Sequence, residues 1–342
     1  SSDVCSSDLQ PANRFQSSFT SDIKQHAYWL DLLPPQPSLP DKPVKTVDVV
    51  IVGSGYTGLN AALETIRGGR STLVLDSENP GCGCSTRNGG QISTSIKPSL
   101  SDLTAKYGLK KACAIRKEGE NALQWIETLI KREKINCNFN RSGRYHAAHT
   151  PKHYEAIARD AEQLNNKEGI EAYTIPKADQ RKELGSDVYF GGVVFPRHAS
   201  VNPGLYHRGL LDRAVEAGVH VTGNCHVSGL RREKNRFILS TSKGEVSARD
   251  VIIATNGYTT DLTPWLQRRV IPIGSYVIAT EELPTELVDT LFPTDRIASD
   301  TCKVVYYYRT SPDRKRIVFG GRVSARETNP LISGPALYQD MC

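Results

Sequence analysis

Gly53, Gly55 and Gly58 stand in the spacing G-x-G-x-x-G, and Asp76 follows the first of them by 23 positions. Those residue types at that spacing suit the binding of a dinucleotide. The first glycine permits a tight turn, the second lets main chain approach a pyrophosphate, and the third lets a helix pack closely on a strand. An acid at the distance of Asp76 hydrogen-bonds a ribose hydroxyl. A second group, GCGCSTRNGGQ from Gly81 to Gln91, combines four glycines with Ser85, Thr86, Arg87 and Asn88, a loop rich in main-chain and side-chain donors. A third is Ala254-Thr255-Asn256-Gly257, small and polar residues that end an apolar strand. His146, His149 and His153 invite a metal reading, but the first two fall on opposite faces of a strand and no carboxylate completes the set. Cys82 and Cys84 form a C-x-C without a nearby His/Cys pair, so no metal site is expected.

The glycines carry meaning only through the elements around them, because glycine clusters also mark ordinary turns. Val49 to Val52 is a β-branched, continuous apolar run, the pattern of a strand buried on both faces of a parallel sheet. A helix over Leu59–Arg67 and a second strand over Ser71–Leu75, ending at Asp76, complete a βαβ unit in register with the glycines. The unit alone does not say which dinucleotide is bound. Leu109–Glu133 reads as a long helix, with Ala114, Leu123, Ile126, Leu129 and Ile130 at helical spacing. Beyond Arg141 come a strand (Tyr145–His149), a helix (Lys152–Asn166) and a strand (Val188–Phe195). A helix over Leu205–Ala217 and a strand over Val219–Thr222 follow. Val227–Arg231, Arg236–Thr241 and Glu245–Ser247 read as a meander, and a buried strand starts at Asp250. Val270–Thr280, Val304–Tyr308 and Arg316–Gly320 suggest a second sheet, mixed or antiparallel.

The 342 residues suffice for two domains. The expected fold is α/β: a Rossmann-like dinucleotide-binding domain with a parallel sheet, plus an α+β domain built on the second sheet. Net charge is +6, but Lys and Arg are scattered among acids, so no nucleic-acid surface is expected. No apolar run reaches the roughly 20 residues of a membrane span. Eight cysteines spread over a chain of this size imply free thiols and a reducing, cytoplasmic setting. The first nine residues, SSDVCSSDL, read as adapter-derived and not as a signal peptide. Residues 10–45 read as an arm whose Tyr28-Trp29 pair packs on a domain surface, with cover over part of a ligand site as the alternative.

Tyr28-Trp29, VVIVGSGYTGLNAAL, STRNGGQ, the strand ending Ala254-Thr255-Asn256-Gly257, RRVIPIGSYVIATEEL and YYYRTSPDRKRIVFGGR occur in this order. In that combination, residues 27 to about 340 resemble the FAD-dependent oxidoreductases of the D-amino-acid-oxidase/glycine-oxidase family, particularly the branch containing gamma-glutamylputrescine oxidase. The resemblance implies an FAD-binding domain over 46–137 and 202–262 and a substrate domain over 138–201 and 263–333. It places Gly53, Gly55, Tyr56, Thr57 and Gly58 at the pyrophosphate. Asp76, with Ser77 beside it, stands at the adenosine ribose, where glutamate is commoner. Ser85, Arg87, Asn88, Gly89, Gly90 and Gln91 belong beside the ribityl chain and flavin ring, with Cys84 where relatives carry alanine. Val227 main chain meets the adenine, and Ala254, Thr255, Asn256 and Gly257 close over the cofactor. No histidine in the Gly81–Gln91 loop offers a covalent link.

The implied activity is oxidation of an amine or amino acid, with hydride passing from the C–H next to nitrogen to flavin N5 and oxygen or another acceptor reoxidising the flavin. Arg309 aligns with the place where relatives hold a substrate carboxylate. Tyr306 and Tyr308, on one strand face, are the expected substrate-positioning pair, with Tyr307 on the other face. Relatives continue past Gly320-Gly321-Arg322, so 334–342 is expected to begin a truncated segment and the chain to be a poor enzyme. An inactive remnant or binding scaffold is the alternative. An NAD-dependent dehydrogenase fits less well, since it needs neither the STRNGGQ loop nor the late ATNG strand.

Overall fold

Strand β1 (Thr46–Val52) is apolar on both sides because both sides are covered. Val49 and Ile51 enter one core layer, while Val50 and Val52 enter the other. This computed structural model describes Lys24 and residues 26–324. The SSDVCSSDL start and the 334–342 segment lie outside the described residues. After Gly53-Ser54-Gly55 the chain enters helix α1 (Tyr56–Arg67) and returns as β2 (Thr72–Leu75), parallel to β1. Strand β8 (His220–Thr222) adds beyond β2, and β11 (Gly244–Ile253) adds on the other side of β1, both parallel. Antiparallel β10 (Arg236–Thr241) and β9 (Val227–Glu233) finish the six-stranded order β8-β2-β1-β11-β10-β9.

The strand anticipated over 245–247 and the one from Asp250 are a single strand, β11. Arg249 and Asp250 interrupt its apolar pattern without turning the chain, since Val246 and Ala248 stay buried on one face. Its first half pairs with β10 and its residues 247–253 run beside β1.

Four further helices follow α1 and frame the site. α2 (Leu100–Tyr107) was not anticipated; it is capped by Ser99 and Asp102 in a reciprocal capping box and ends at Gly108, φ +79°. α3 (Leu109–Arg132) then carries Leu123, Leu129 and Ile130 into the core. α4 (Pro151–Gln163) and α5 (Pro203–Glu216) each start with proline behind a capping side chain, Thr150 and Asn202. Leu210, Leu211 and Ala214 of α5 share one core with Leu59, Ala62 and Leu63 of α1.

Among the described residues the second sheet has seven strands. They are β12 (Gly274–Ala279), β15 (Ile317–Ser324), β14 (Tyr307–Thr310), β13 (Ile297–Asp300), β4 (Arg144–Ala147), β6 (Gly192–Phe195) and β5 (Tyr173–Ile175), in that order across the sheet. Only β13 and β4 run parallel. β13 and β5 carry no strong sequence signal, being short and partly polar. One face buries Tyr145, Ala147, Val194, Ala298 and Tyr308. The opposite face carries Arg144, His146, Ser299, Tyr307 and Arg309, as the period of two requires. A short ladder of β3 (Gln91–Ile92) with β7 (Ala199–Ser200) links the two sheets. No helix among the described residues is long and apolar enough to cross a membrane, and the described cysteines are free thiols.

A Cβ at Gly58 would lie 1.9 Å from the Gly53 carbonyl oxygen. Gly58→Ala is expected to destabilise the protein by about 1–3 kcal/mol, the usual scale of overpacking. A urea midpoint that stays unchanged would show that α1 and β1 do not approach this closely.

Candidate functional site

The turn between β1 and α1 leaves no room for side chains. Gly53 has φ +105°, and a Cβ there would meet the Ala254 carbonyl oxygen at 2.6 Å. Gly55 caps α1 and brings no side chain to the first turn, so its N–H groups and positive dipole end face outward. Thr57 is exposed on that turn, whereas Tyr56 turns inward, its hydroxyl donating to the Pro203 carbonyl at 3.1 Å. Burial holds the Tyr56 phenol well above its ordinary range. The Asp76 carboxylate accepts from Ser54 N at 2.8 Å and from the Ser54 hydroxyl at 2.5 Å, and its other oxygen accepts from Glu78 N around the exposed Ser77. Cys225 N donates to the Asp76 carbonyl, which brings the start of β9, Val227, to the same edge. His207, missed by sequence reasoning, donates from Nε2 to the Ser54 carbonyl at 2.7 Å from beneath the turn. A lone histidine on an apolar helix face gave no signal for that role.

Two further segments close on this helix end. Ser85 Oγ accepts from Tyr56 N at 3.2 Å and would contact any Cβ at Gly55 at 2.9 Å. Asn88 knits the loop: its amide donates to the Cys84 and Ser85 carbonyls, and its Oδ1 accepts from Gly90 N. Arg87 is exposed and reaches Cys82 Sγ at 3.3 Å. From the other side, Ala254 N donates to the Val52 carbonyl. Asn256, at φ +49°, donates to Cys84 Sγ at 3.4 Å, with Thr255 bonded to Thr259 and Gly257 beside Pro272. Backbone donors, a helix dipole and an acid at the strand end thus converge, and the donor set fits the pyrophosphate and ribose of FAD. Trp29 is fully buried and donates from Nε1 to the Asn88 carbonyl at 2.8 Å, so the arm braces this loop as well as packing.

The second sheet meets the loop with Tyr307 and Arg309, not with the expected tyrosine pair. Tyr308 points the other way, stacked on Phe319 and bonded through its hydroxyl to Tyr189 at 2.8 Å, while Tyr306 packs beside the same Phe319. The expected face is inverted because β14 begins at Tyr307, and its register against β15 lays that ring over Gly320 and against Gly89. Arg309 is buried, and its guanidinium donates to the carbonyls of Gly90, Val201 and Thr310 at 2.9–3.2 Å. Burial lowers its pKa to about 10, against the opposing pull of Asp295. Arg309 Nε and Nη1 are thus engaged by main chain. A polar cavity of about 220 Å³ beside it is lined by Asn138, Asn140, Asp295 and Thr310.

Gln91 runs on under the same face, its amide donating to the Ala298 and Tyr308 carbonyls. Three residues later, Thr94 N donates to His198 Nε2. His198 stacks on Phe195, centroids 5.0 Å apart, and Arg144 lies over that ring at 5.8 Å. Arg144 donates to His146 Nδ1 at 3.1 Å, and Ser299 Oγ meets the same nitrogen at 2.9 Å. An arginine alternating with Tyr145 and Ala147 was the one available sequence signal for this cluster. The other histidines part from it. His153 bonds Thr301, and His149 comes near Asp300 and Cys302, with one ligand-capable atom of each within 4.8 Å. Asp300 Oδ1 there accepts from Cys302 N and Tyr306 N.

Residues 48–340 match the family of FAD dependent oxidoreductases designated DAO. The chain is 31% identical over 282 residues to the gamma-glutamylputrescine oxidoreductase of Escherichia coli, covering 81% of this chain and 65% of that one. It is 27% identical over 289 residues to the "Probable oxidoreductase OrdL" of Haemophilus influenzae, covering 83% and 67% respectively. The chain therefore spans about two thirds of the length of these curated relatives. Among solved structures, the glycine oxidase of Geobacillus kaustophilus superposes with a TM-score of 0.63 at 17% identity, covering 82% of this chain and 72% of the other. The L-proline dehydrogenase of P. horikoshii gives 0.64 at 16%, covering 87% and 77%. These two likenesses concern the fold.

Burial, reinforced by the Arg144 charge, pushes both His146 and His198 down to about 3. Unfolded histidines titrate near 6.5, so between about 6.5 and 3 the unfolded chain binds more protons than the folded one. Stability is therefore expected to fall as pH drops through that window. His198→Gln should flatten the decline of Tm between pH 6.5 and 4. An identical slope in the variant would show that the imidazole is not held neutral.

Proposed function

The chain belongs to the DAO family of FAD-dependent oxidoreductases, and from that membership we propose that it binds FAD without a covalent link and oxidises a small amine or amino acid. The observation that carries this reading is the meeting of Gly53–Gly58, Ser85–Gln91 and Ala254–Gly257 around one open helix end. In this reading Gly53, Gly55, Thr57 and Gly58 hold the pyrophosphate, Asp76 the ribose, and main chain near Val227 the adenine. The loop from Ser85 to Gln91 lies along the ring end. Residues 46–137 and 202–262 form the FAD-binding domain, and 138–201 and 263–333 the substrate domain.

When bound, FAD supplies the two-electron acceptor for a C–H next to nitrogen, giving an imine that water hydrolyses to a carbonyl compound. The protein's own part is to orient that C–H bond and to exclude water. Tyr307 forms a wall against Gly89, and Trp29 seals the back of the loop at Asn88. No strongly basic side chain is required. One relative is a gamma-glutamylputrescine oxidoreductase, so a gamma-glutamyl amine stands beside amino acids among the proposed substrates. Oxygen or another acceptor completes the turnover, and the free thiols suit a reducing, cytoplasmic setting.

Heat-denatured protein is expected to release a yellow supernatant with a flavin spectrum. Gly55→Val should lower bound FAD by at least about tenfold, because a side chain there stands at the pyrophosphate position and against Ser85. A colourless wild-type protein with affinity for NAD(H) would refute the cofactor. Failure of a broad amine and amino-acid panel to bleach the flavin anaerobically would refute the substrate class.

A further inference from the structure

Arg144 presents a positive charge that no acid answers. Among the described residues it forms no ion pair, its only polar partner is the neutral His146, and its Nε is buried without an acceptor. The guanidinium remains charged at neutral pH, since burial lowers it only to about 10. Next to it, His198 accepts through Nε2 from Thr94 N, which leaves the proton on Nδ1, and that atom too is buried without a partner. Two donors without acceptors, one of them ionised, thus pack against the Phe195 ring. A buried charge of this kind costs several kcal/mol unless it meets an opposite charge in good geometry. Arg144 and His146 nevertheless keep part of their surface accessible, so they do not belong to a closed core.

The cluster lies on the sheet face that meets the glycine-rich loop. His146, Ser299 and Tyr307 are consecutive cross-strand neighbours in one row of the second sheet. Tyr307 touches Gly89, and the loop continues from there through Gln91 to Thr94, which bonds His198. His146 stands two strand spacings from Tyr307, roughly 10 Å, about the length of a small amino-acid derivative laid across the sheet.

We propose that Arg144 is the substrate-binding residue that receives a carboxylate, with His146 and Ser299 as positioning residues that fix its plane and His198 as a second donor. One guanidinium among neutral imidazoles matches a single negative charge, which favours a carboxylate over a doubly charged phosphate. His146 Nδ1 accepts from Arg144 and from the Ser299 hydroxyl, so Nε2 holds the imidazole proton and the guanidinium cannot swing freely. Arg309 commits its Nε and Nη1 to three carbonyls, whereas Arg144 gives a bond only to a neutral imidazole. The assignment rests on the amine-oxidation reading and extends it: the substrate carries a carboxylate some distance from the C–H that is oxidised.

The test uses the flavin-loaded full chain and a non-oxidisable pair, propionate and propionamide, followed by ligand-observed NMR. Propionate is expected to bind at least about tenfold more tightly than propionamide, the scale of a charge-assisted hydrogen bond. Arg144→Met should erase that preference at unchanged flavin content, and Arg144→Lys should keep part of it. In anaerobic flavin reduction, Arg144→Met should raise the half-saturation of carboxylate-bearing amines about tenfold or more while sparing their amide-capped twins. Equal binding of the wild-type pair would overturn the proposal, even if neither variant folds. So would loss of the preference in Arg309→Met with Arg144→Met unaffected. A wild-type protein that binds propionate but is reduced by no amine would instead sink the amine-oxidation reading alone.

Discussion

One guanidinium gathers three main-chain carbonyls, and the site is arranged around it. Arg309 sits on the second sheet, Gly90 on the loop that leaves the first sheet, and Val201 at the end of β7. Carbonyl oxygens carry only partial charge, so the arginine stays protonated and polarises all three bonds at once. The Trp29 ring, 5.8 Å away, adds the negative face of an aromatic to the same cation. The constraint extends to its neighbours. Gly90 must be glycine, with φ +66° and a Cβ that would press on the Val201 oxygen at 2.2 Å. Gln91 is then carried far enough to reach the carbonyls of β13 and β14. The loop thus takes its shape from a sheet that lies more than two hundred residues further along the chain.

That dependence explains which features were legible in the sequence. β1, α1 and β2 could be placed because their period, caps and glycines act over a few residues. The convergence of Asp76, Ser85 and Asn256 on one helix end was foreseeable from motif order. The face of β14 was not. Tyr306, Tyr307 and Tyr308 are chemically alike, and only pairing with Gly320 decides which ring meets Gly89. Arg309 and Arg144 pose the same difficulty in reverse. Both are arginines on strands, yet one gives Nε and Nη1 to three carbonyls and the other lacks an acceptor on Nε, a difference created wholly by tertiary neighbours. β11 hid for another reason, since Arg249-Asp250 reads locally as a turn, whereas the strand simply passes through it.

Much of the architecture is written in main chain. The carbonyls of Ser54, Asn88, Gly90, Val201, Ala298 and Tyr308 accept the bonds that hold the site together. Such acceptors persist whatever side chain is attached to them. A donor such as Trp29, His207, Arg309 or Gln91 need only be able to reach. Folds organised this way can keep their shape while most residues change, in keeping with the low identity shared with solved structures of the same fold. Divergence is then concentrated where side chains face side chains, as in the Arg144, His146 and His198 cluster.

The central position of β1 has a consequence for the chain as it is made. Its parallel partner β11 is encoded about two hundred residues later, for Thr46 pairs beside Ser247. At ordinary rates of synthesis, about 5–20 residues per second, β1 waits roughly 10–40 s before that neighbour leaves the ribosome. During this interval a run of valines and isoleucine has one edge of its hydrogen-bonding ladder unfilled, the arrangement that invites pairing with a foreign strand. Until residues 247–253 follow, that open edge is the part of β1 most exposed to mispairing.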